Sequence, residues 1–250
     1  MKTVLVKGPA LSHSGYGEHT RFILRSLKSK PEAFDVFLIN TNWGATSWIS
    51  DVNEEREWID SLLSKTMHYT QAGGRFNISI QVTIPQEWEK LADYNIGATA
   101  GTETTKISPL WMQHSMEMDK IIVISEHAKY AFENTSYQAT NNSTGEEFVA
   151  KVNCPIEVVN YPVKKVDQEK INLDLKYDFN FLTVGTWIVR KNLENTIKWF
   201  VEEFKDEEVG LIVKTSLAKN SIRDRRATEH RLKDMLKPYE NQIVTGKQTI

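Results

Sequence analysis

The chain has a single cysteine, Cys154, among its 250 residues. One thiol excludes an internal disulfide and any zinc or iron–sulfur site that needs several cysteines. The six histidines are scattered, and no two of them are spaced as a His-x-x-x-His metal pair. The sequence therefore predicts no metal and no other cofactor, and a reducing compartment is its natural location.

Long apolar runs and an excess of one charge are also absent. No apolar stretch approaches the roughly 20 residues of a membrane span, and the apolar part of "MKTVLVKG" is too short for a signal peptide. Lysine and arginine number 31 against 33 acidic residues, so the net charge is only -2. Without a basic excess, nucleic acid is not expected as the main partner. We expect a soluble, cytoplasmic protein, and nothing in the sequence predicts its oligomeric state.

Strand and helix patterns alternate along the chain in two successive runs. Buried or alternating apolar segments predict strands, helical spacing predicts helices, and the polar stretch 136–147 predicts a loop. In the first run the predicted strands are 4–6, 35–40, 76–84, 95–101, 120–125 and 155–163, and the helices follow Gly17 or cover 54–65, 108–119 and 126–135. In the second run the strands are 179–185, 209–215 and 241–246, with helices at 191–204 and 221–239.

The charged segment "KKVDQEKINLDLK" separates the two runs. We therefore predict an N-terminal domain at 1–163, a linker at 164–177 and a second domain at 178–250. Alternating strands and helices predict an α/β protein with two Rossmann-like, doubly wound parallel sheets. The second domain is shorter than a typical domain of about 100 to 150 residues, so we expect it to be truncated.

A glycine-containing loop follows the first predicted strand, in "GPALSHSGYGEHTR". In an open parallel sheet this loop lies beyond the carboxyl ends of the strands, where such sheets bind ligands. Gly15 and Gly17, on either side of Tyr16, lack a Cβ, so a phosphate or sugar can approach the backbone. A simple turn remains the alternative. The dinucleotide pattern G-x-G-x-x-G is not met, because Thr20 stands at the third glycine position.

Three cations follow strands of the second domain. Arg190 and Lys191 come after its first strand, and Lys214 ends its second strand. Because neighbouring parallel strands end at one edge, these side chains are expected to converge on an anion such as a diphosphate. The alternative is that they are ordinary solvated surface cations.

Several segments together resemble the retaining GT-B-fold glycosyltransferases of group 1, the family 4-like group that includes sucrose and mannose transferases. They are "SGYGEHTR", "IPQEW", "NIGATAGTET", "WMQHSMEMDKIIVISEHAKYAF" and "FLTVGTWIVRKNLENTIKWFVEEF". The resemblance implies an acceptor-side N-terminal domain, a C-terminal domain that binds a nucleotide-sugar, and catalysis in the cleft between them without a metal. It also implies that Gly15, Tyr16 and Gly17 lie against the phosphate or sugar of the donor.

The resemblance assigns further roles residue by residue. Lys191 matches the family's phosphate-binding lysine, but Thr186 stands where an arginine is common, which leaves open whether Arg190 replaces it. Glu103 stands in the segment where the family often has a histidine that contacts the transferred sugar. It would hydrogen-bond the sugar or stabilise charge at the anomeric carbon, and a surface glutamate is the alternative. The family's pair of glutamates seven residues apart would follow residue 250.

The first hypothesis is therefore a glycosyltransferase, or a fragment of one, that transfers a sugar from a nucleotide-sugar to a carbohydrate or other hydroxyl acceptor with retention. His13, His19 and Trp43 are candidates for the acceptor side, although solvent exposure of the histidines and simple packing of the tryptophan are alternatives. The second hypothesis is a catalytically silent sugar- or nucleotide-binding domain, or a subunit that assists a partner. An unrelated doubly wound ligand-binding protein is the third.

Overall fold

The computed structural model describes residues 1–141 and 143–239, which form two compact units. The first unit comprises 1–44 and 48–164, and the second comprises 45–47 with the residues from 165 onward. The strands of the first unit are β1 (Lys2–Gly8), β2 (Phe34–Asn40), β3 (Ile78–Val82), β4 (Tyr94–Thr99), β5 (Lys120–Val123), β6 (Tyr137–Thr140), β7 (Glu147–Ala150) and β8 (Ile156–Val158). Its helices are α1 (Gly15–Lys28), α2 (Glu54–Gln71), α3 (Pro109–Ser115) and α4 (Glu126–Glu133).

Six strands of the first unit form one sheet in the order β2-β1-β3-β4-β5-β8, and every neighbouring pair is parallel. After β1 the chain moves to β2 on one side, and it then crosses to β3 on the other side. The strand order therefore reverses between β1 and β3, and ligands of such sheets bind beyond the carboxyl ends at this point. The predicted Rossmann-like α/β architecture is confirmed for this unit.

Helices cover both faces of this sheet because its strands carry apolar side chains on both faces. On one face, Val4 and Val6 pack with Leu24 and Leu27 of α1. On the other face, Ile121 and Val123 of β5 pack with residues of α3 and α4. Each fully buried aliphatic side chain of this kind contributes roughly 1.5–3 kcal/mol. The sheet and its flanking helices thus hold the strand ends in fixed positions.

The predicted loop at 136–147 is wrong, because β6 and β7 pair as an antiparallel hairpin there. Tyr137 and Ala139 alternate with exposed neighbours and pack against the core under β5. The Asn141 side chain accepts hydrogen bonds from two backbone N–H groups of the turn, and Gly145 adopts a positive φ of 74°. Each strand is only four residues long and the segment is mostly polar, so its alternating pattern is too short to predict a strand.

Other predicted boundaries shift by a few residues. The strand predicted at 155–163 covers only Ile156–Val158, whereas α2 continues to Gln71 and α3 ends at Ser115. Ser125 caps α4 by accepting a hydrogen bond from the backbone of Ala128 at 3.1 Å, as its position before the helix predicts. The strand predicted at 241–246 lies outside the described residues.

The second unit contains β9 (Phe179–Val184), α5 (Leu193–Phe204), β10 (Val209–Lys214) and α6 (Ile222–Leu236), with 3₁₀ turns at Val189–Lys191 and Lys237–Tyr239. β9 and β10 are parallel, as predicted. Trp187, Leu193 and Ile197 form the buried centre of this unit. In the described parts of both units, no helix combines the length and apolar character needed to cross a membrane.

Candidate functional site

The loop between β1 and α1 lies at the point where the strand order of the first unit reverses. Ser14 caps α1 by accepting a hydrogen bond from the backbone N–H of Gly17 at 3.0 Å. Arg21, which is 6% exposed, donates to the carbonyls of Ala10 and Ser12 at 2.7 and 3.0 Å. A buried guanidinium therefore fixes the backbone of this loop from the helix that follows it.

The two glycines of the loop have different roles. A Cβ on Gly17 would lie 2.1 Å from the carbonyl oxygen of Ser12 and 2.9 Å from that of Pro9, so Gly17 allows the loop to pack on α1. Gly15 is exposed, and among the described residues no heavy atom lies within 4 Å of a Cβ built there. Gly17 is thus required by the packing of the loop, whereas the backbone of Gly15 is accessible at the start of α1.

Tyr16 connects this loop to the carboxyl end of β4. Its hydroxyl lies 2.8 Å from the Thr99 hydroxyl and accepts from the backbone N–H of Ala100 at 3.2 Å. The ring of Trp43 lies against the Tyr16 ring, with centroids 4.3 Å apart and planes at 33°. The structure therefore brings two predicted site residues, Tyr16 and Trp43, into direct contact, which favours a small aromatic surface at this edge.

Two carboxylates lie near the same phenol. Burial raises the pKa of Tyr16, and the negative charges of Glu87 and Glu103 add to that rise. Glu103 is exposed in the segment after β4, and Glu87 is exposed in the 3₁₀ turn after β3. Sequence analysis missed Glu87 as a site residue, although "IPQEW" places it just after a predicted strand, where ligand-contacting side chains collect.

The two histidines of the loop region differ in exposure. His13 is exposed. His19 is only 6% exposed, its ring meets Tyr161 edge to face at a centroid distance of 4.9 Å, and its Nδ1 has no hydrogen-bond partner among the described residues. Burial lowers the pKa of His19 to about 4, so this imidazole is neutral near pH 7. Sequence analysis missed Tyr161, whose pKa burial raises to about 12.

Three threonines share an unusual position. Thr41, Thr83 and Thr215 each come directly after a strand, at its carboxyl end. The hydroxyl of each is buried and has no hydrogen-bond partner within the described part of the chain. Buried polar groups without partners are uncommon in proteins. Their positions, at the ends of β2, β3 and β10, are those where α/β sheets present groups to ligands.

The predicted cations of the second unit lie at the carboxyl edge of its parallel strands. Lys214 is the last residue of β10, opposite Val184, and its carbonyl accepts from the N–H of Gly185 at 3.1 Å. A Cβ built on Gly185 would lie 3.7 Å from Cγ of Lys191, so the stem of Lys191 lies beside the same strand end. Arg190 is exposed on the same 3₁₀ turn as Lys191.

The start of α5 adjoins this edge. Its N-cap residue, Asn192, has a left-handed backbone with φ 50° and ψ 35°, and its side chain makes no capping hydrogen bond in the described structure. In contrast, the caps of α1, α2, α3, α4 and α6 each accept a hydrogen bond with their side chains. The first N–H groups of α5 thus have no side-chain cap, and Glu194 in the same turn pairs with Arg231 at 2.5 Å.

Within residues 1–141 and 143–239, no group of three or more His, Cys, Asp or Glu side chains is placed to hold a metal ion. Comparisons of the chain with models of protein families, with curated proteins and with solved structures found no match.

Proposed function

We propose that this chain is a retaining glycosyltransferase of the GT-B type, which transfers a sugar from a nucleotide-sugar to a hydroxyl of an acceptor. The observation that carries the proposal is the cationic carboxyl edge of the second unit. There, Lys191 and Lys214 lie at the ends of two paired parallel strands, beside the start of α5. A diphosphate is the part of a nucleotide-sugar that this edge suits.

Charge and geometry both favour a diphosphate. Lysine ammonium groups bind phosphate as point charges, and Arg190 adds a guanidinium from the same turn. The start of a helix places backbone donors and a partial positive charge toward an anion. The Thr215 hydroxyl follows Lys214 directly; it is buried and has no hydrogen-bond partner among the described residues. Together these groups would balance the charge that builds on a departing diphosphate.

The first unit would bind the sugar and the acceptor. Gly15 leaves the backbone open, and the Tyr16–Trp43 pair offers an aromatic surface to the apolar face of a sugar. In the transfer, the bond from the anomeric carbon to the diphosphate oxygen breaks and its electron pair leaves with the diphosphate. The acceptor oxygen bonds to the anomeric carbon, and its proton passes to the diphosphate. The Glu103 carboxylate would stabilise the positive charge on that carbon.

Calorimetry with uridine diphosphate, guanosine diphosphate and uridine tests the donor site. A charge-assisted hydrogen bond contributes roughly 1.5–3 kcal/mol, so Lys191→Ala should weaken nucleoside-diphosphate binding about tenfold or more. Lys198→Ala is the matched control, because Lys198 is an exposed lysine on α5, the helix that follows Lys191, and pairs with Glu202 at 3.8 Å. Equal binding by the parent and Lys191→Ala would refute this donor site.

A transfer assay with a panel of nucleotide-sugars tests catalysis itself. The proposal is supported if the parent turns over any of these donors and Lys191→Ala lowers the rate of that turnover. Diphosphate binding without hydrolysis or transfer across the panel would instead identify a catalytically silent nucleotide-binding protein.

A further inference from the structure

A cavity of about 420 Å³ opens beside the segment that carries Glu103. This volume falls within the roughly 300–1,000 Å³ that is usual for small-molecule sites. The residues that line the cavity include hydroxyl-bearing, basic and aromatic ones, namely Thr102, Thr104, Ser108, Lys106, Trp111 and Tyr137. All belong to the first unit, so the cavity is a feature of that unit alone.

The walls of this cavity are fixed by internal hydrogen bonds. Ile107, which is 1% exposed, donates its N–H to the Thr135 hydroxyl at 3.1 Å and accepts from the Tyr137 hydroxyl at 2.5 Å. The Thr104 hydroxyl donates to the carbonyl of Lys106 at 2.7 Å. Because these bonds hold the lining segments to one another, a bound molecule would meet a preformed site, which lowers the cost of ordering it.

The aromatic wall is also held in place. The ring of Trp111, a residue that lines the cavity, stacks on Phe132 with centroids 6.5 Å apart and planes at 25°. Phe132 itself is completely buried. A tryptophan ring fixed next to several hydroxyls suits a carbohydrate, which presents both C–H faces and hydroxyl groups.

The charge of the residues that line the cavity indicates which type of carbohydrate would bind. Lys106 brings a positive charge, and none of the described residues that line the cavity carries a carboxylate. An anionic ligand would therefore meet an ammonium without a competing acid in the wall. Glu103 stands between Thr102 and Thr104 in the sequence but does not line the cavity, so the cavity borders the segment that carries the proposed catalytic residue.

We infer that this cavity is the acceptor subsite and that it takes a carbohydrate bearing an anionic group, a phosphate or a carboxylate. The acceptor role of this ligand rests on the proposed function, because an acceptor requires a donor that supplies the transferred sugar. Binding of the anionic carbohydrate itself requires no donor.

Calorimetry on the full chain without nucleotide tests the subsite, with glucose 6-phosphate, glucuronate, glucose and inorganic phosphate as probes. At least one anionic sugar should bind about tenfold or more tightly than glucose, as expected for a charge-assisted hydrogen bond. It should also bind more tightly than inorganic phosphate, which cannot use the aromatic wall. Preference for glucose 6-phosphate identifies a phosphate group, and preference for glucuronate identifies a carboxylate.

Three substitutions locate the binding. Lys106→Gln should reduce the affinity for the anionic sugar about tenfold, to near that of glucose. Lys30→Gln should leave it unchanged, because Lys30 precedes β2 and lies toward the opposite, amino-terminal edge of the sheet. Trp111→Phe should remove the ligand-induced change in tryptophan fluorescence while keeping an aromatic ring against Phe132.

Equal affinity of the parent and Lys106→Gln would overturn the subsite, as would failure of both anionic sugars to bind more tightly than glucose. Failure of the subsite can be distinguished from failure of the proposed donor site. Loss of anionic-sugar binding alone, with nucleoside-diphosphate binding still dependent on Lys191, would refute only the subsite. Anionic-sugar binding in a protein that binds no nucleoside diphosphate would refute the proposed function instead.

Discussion

The hydroxyl oxygens of Tyr16 and Thr99 lie 2.8 Å apart, which joins the first turn of α1 to the carboxyl end of β4. The Tyr16 hydroxyl also accepts from the backbone N–H of Ala100. This phenol therefore sets the distance between the glycine loop and the segment that carries Glu103. Both segments belong to the candidate site, so this side chain joins two parts of it directly.

Tyr16→Phe should lower the free energy of unfolding by about 1 kcal/mol, because a hydrogen bond typically contributes 0.5–1.5 kcal/mol and Ala100 loses an acceptor. Urea denaturation measures the loss. Tyr130→Phe is the control, since the Tyr130 ring is 55% exposed on α4 and its change should be close to zero. Equal losses in both variants would mean that the Tyr16 hydroxyl contributes nothing particular to the fold.

Gly17→Ala should destabilise the protein by about 1–3 kcal/mol, which is the usual cost of overpacking. The added methyl would meet two backbone carbonyls of the loop, and backbone cannot move aside as a flexible side chain can. Gly15→Ala meets open space at the first position of α1, and alanine favours a helix over glycine by up to about 1 kcal/mol. Thermal denaturation should therefore shift the two variants in opposite directions, and a stable Gly17→Ala protein would contradict the described packing.

The order of elements in the first unit could be predicted from sequence because each buried strand has its own apolar run. "KIIVIS" and "DVFLIN" each suffice to mark a strand, and Ser125 marks the helix that follows β5. The hairpin at β6 and β7 could not be predicted, since its polar residues stabilise a turn and only three small or aromatic residues, Tyr137, Ala139 and Ala150, pack inward.

The residues of the candidate site were only partly predictable. Position after a strand selects Gly15, Glu103 and Lys191, because the carboxyl edge of a parallel sheet follows from strand order. The contact between His19 and Tyr161 joins residues that are far apart in sequence, and no local pattern encodes it. The separate roles of Gly15 and Gly17 also depend on the path of the preceding loop.

His19 should make the stability of the protein depend on pH. Its pKa is about 4 in the folded chain, against the ordinary value of 6.5 expected after unfolding. The unfolded chain therefore binds the proton more readily between these two values, so stability is complete above pH 6.5 and falls as the pH drops to about 4. Between pH 7 and pH 5, protonation of this group should lower the free energy of unfolding by about 2 kcal/mol.

His19→Leu should remove this part of the pH dependence, because leucine fills a similar buried volume and does not titrate. His13→Leu should keep it, since His13 is exposed. Urea denaturation at pH 7 and pH 5 compares the three proteins, and the carboxylates contribute equally to each. If the parent and His19→Leu lose the same stability over this interval, His19 is not the buried neutral group described.

Glu103→Gln should reduce sugar transfer by about 10²–10³-fold, the size of effect that follows removal of one electrostatic group that stabilises a transition state. The amide keeps the shape of the side chain but loses the negative charge that would face the anomeric carbon. Glu103 is exposed, so the substitution should leave the free energy of unfolding within about 0.5 kcal/mol of the parent. Steady-state transfer kinetics and urea denaturation measure the two effects.

The matched substitutions separate a catalytic carboxylate from a general effect of charge. Glu117→Gln changes an exposed glutamate after α3 and should leave transfer unchanged. Glu87→Gln tests the second carboxylate near Tyr16, and because Glu103 alone is proposed to act at the anomeric carbon, its effect should stay below tenfold. A loss of 10² or more from Glu87→Gln, with full activity in Glu103→Gln, would assign the charge-stabilising role to the 3₁₀ turn after β3. If neither variant affects an active parent enzyme, neither carboxylate stabilises the transition state, and the negative charge must come from the departing diphosphate itself.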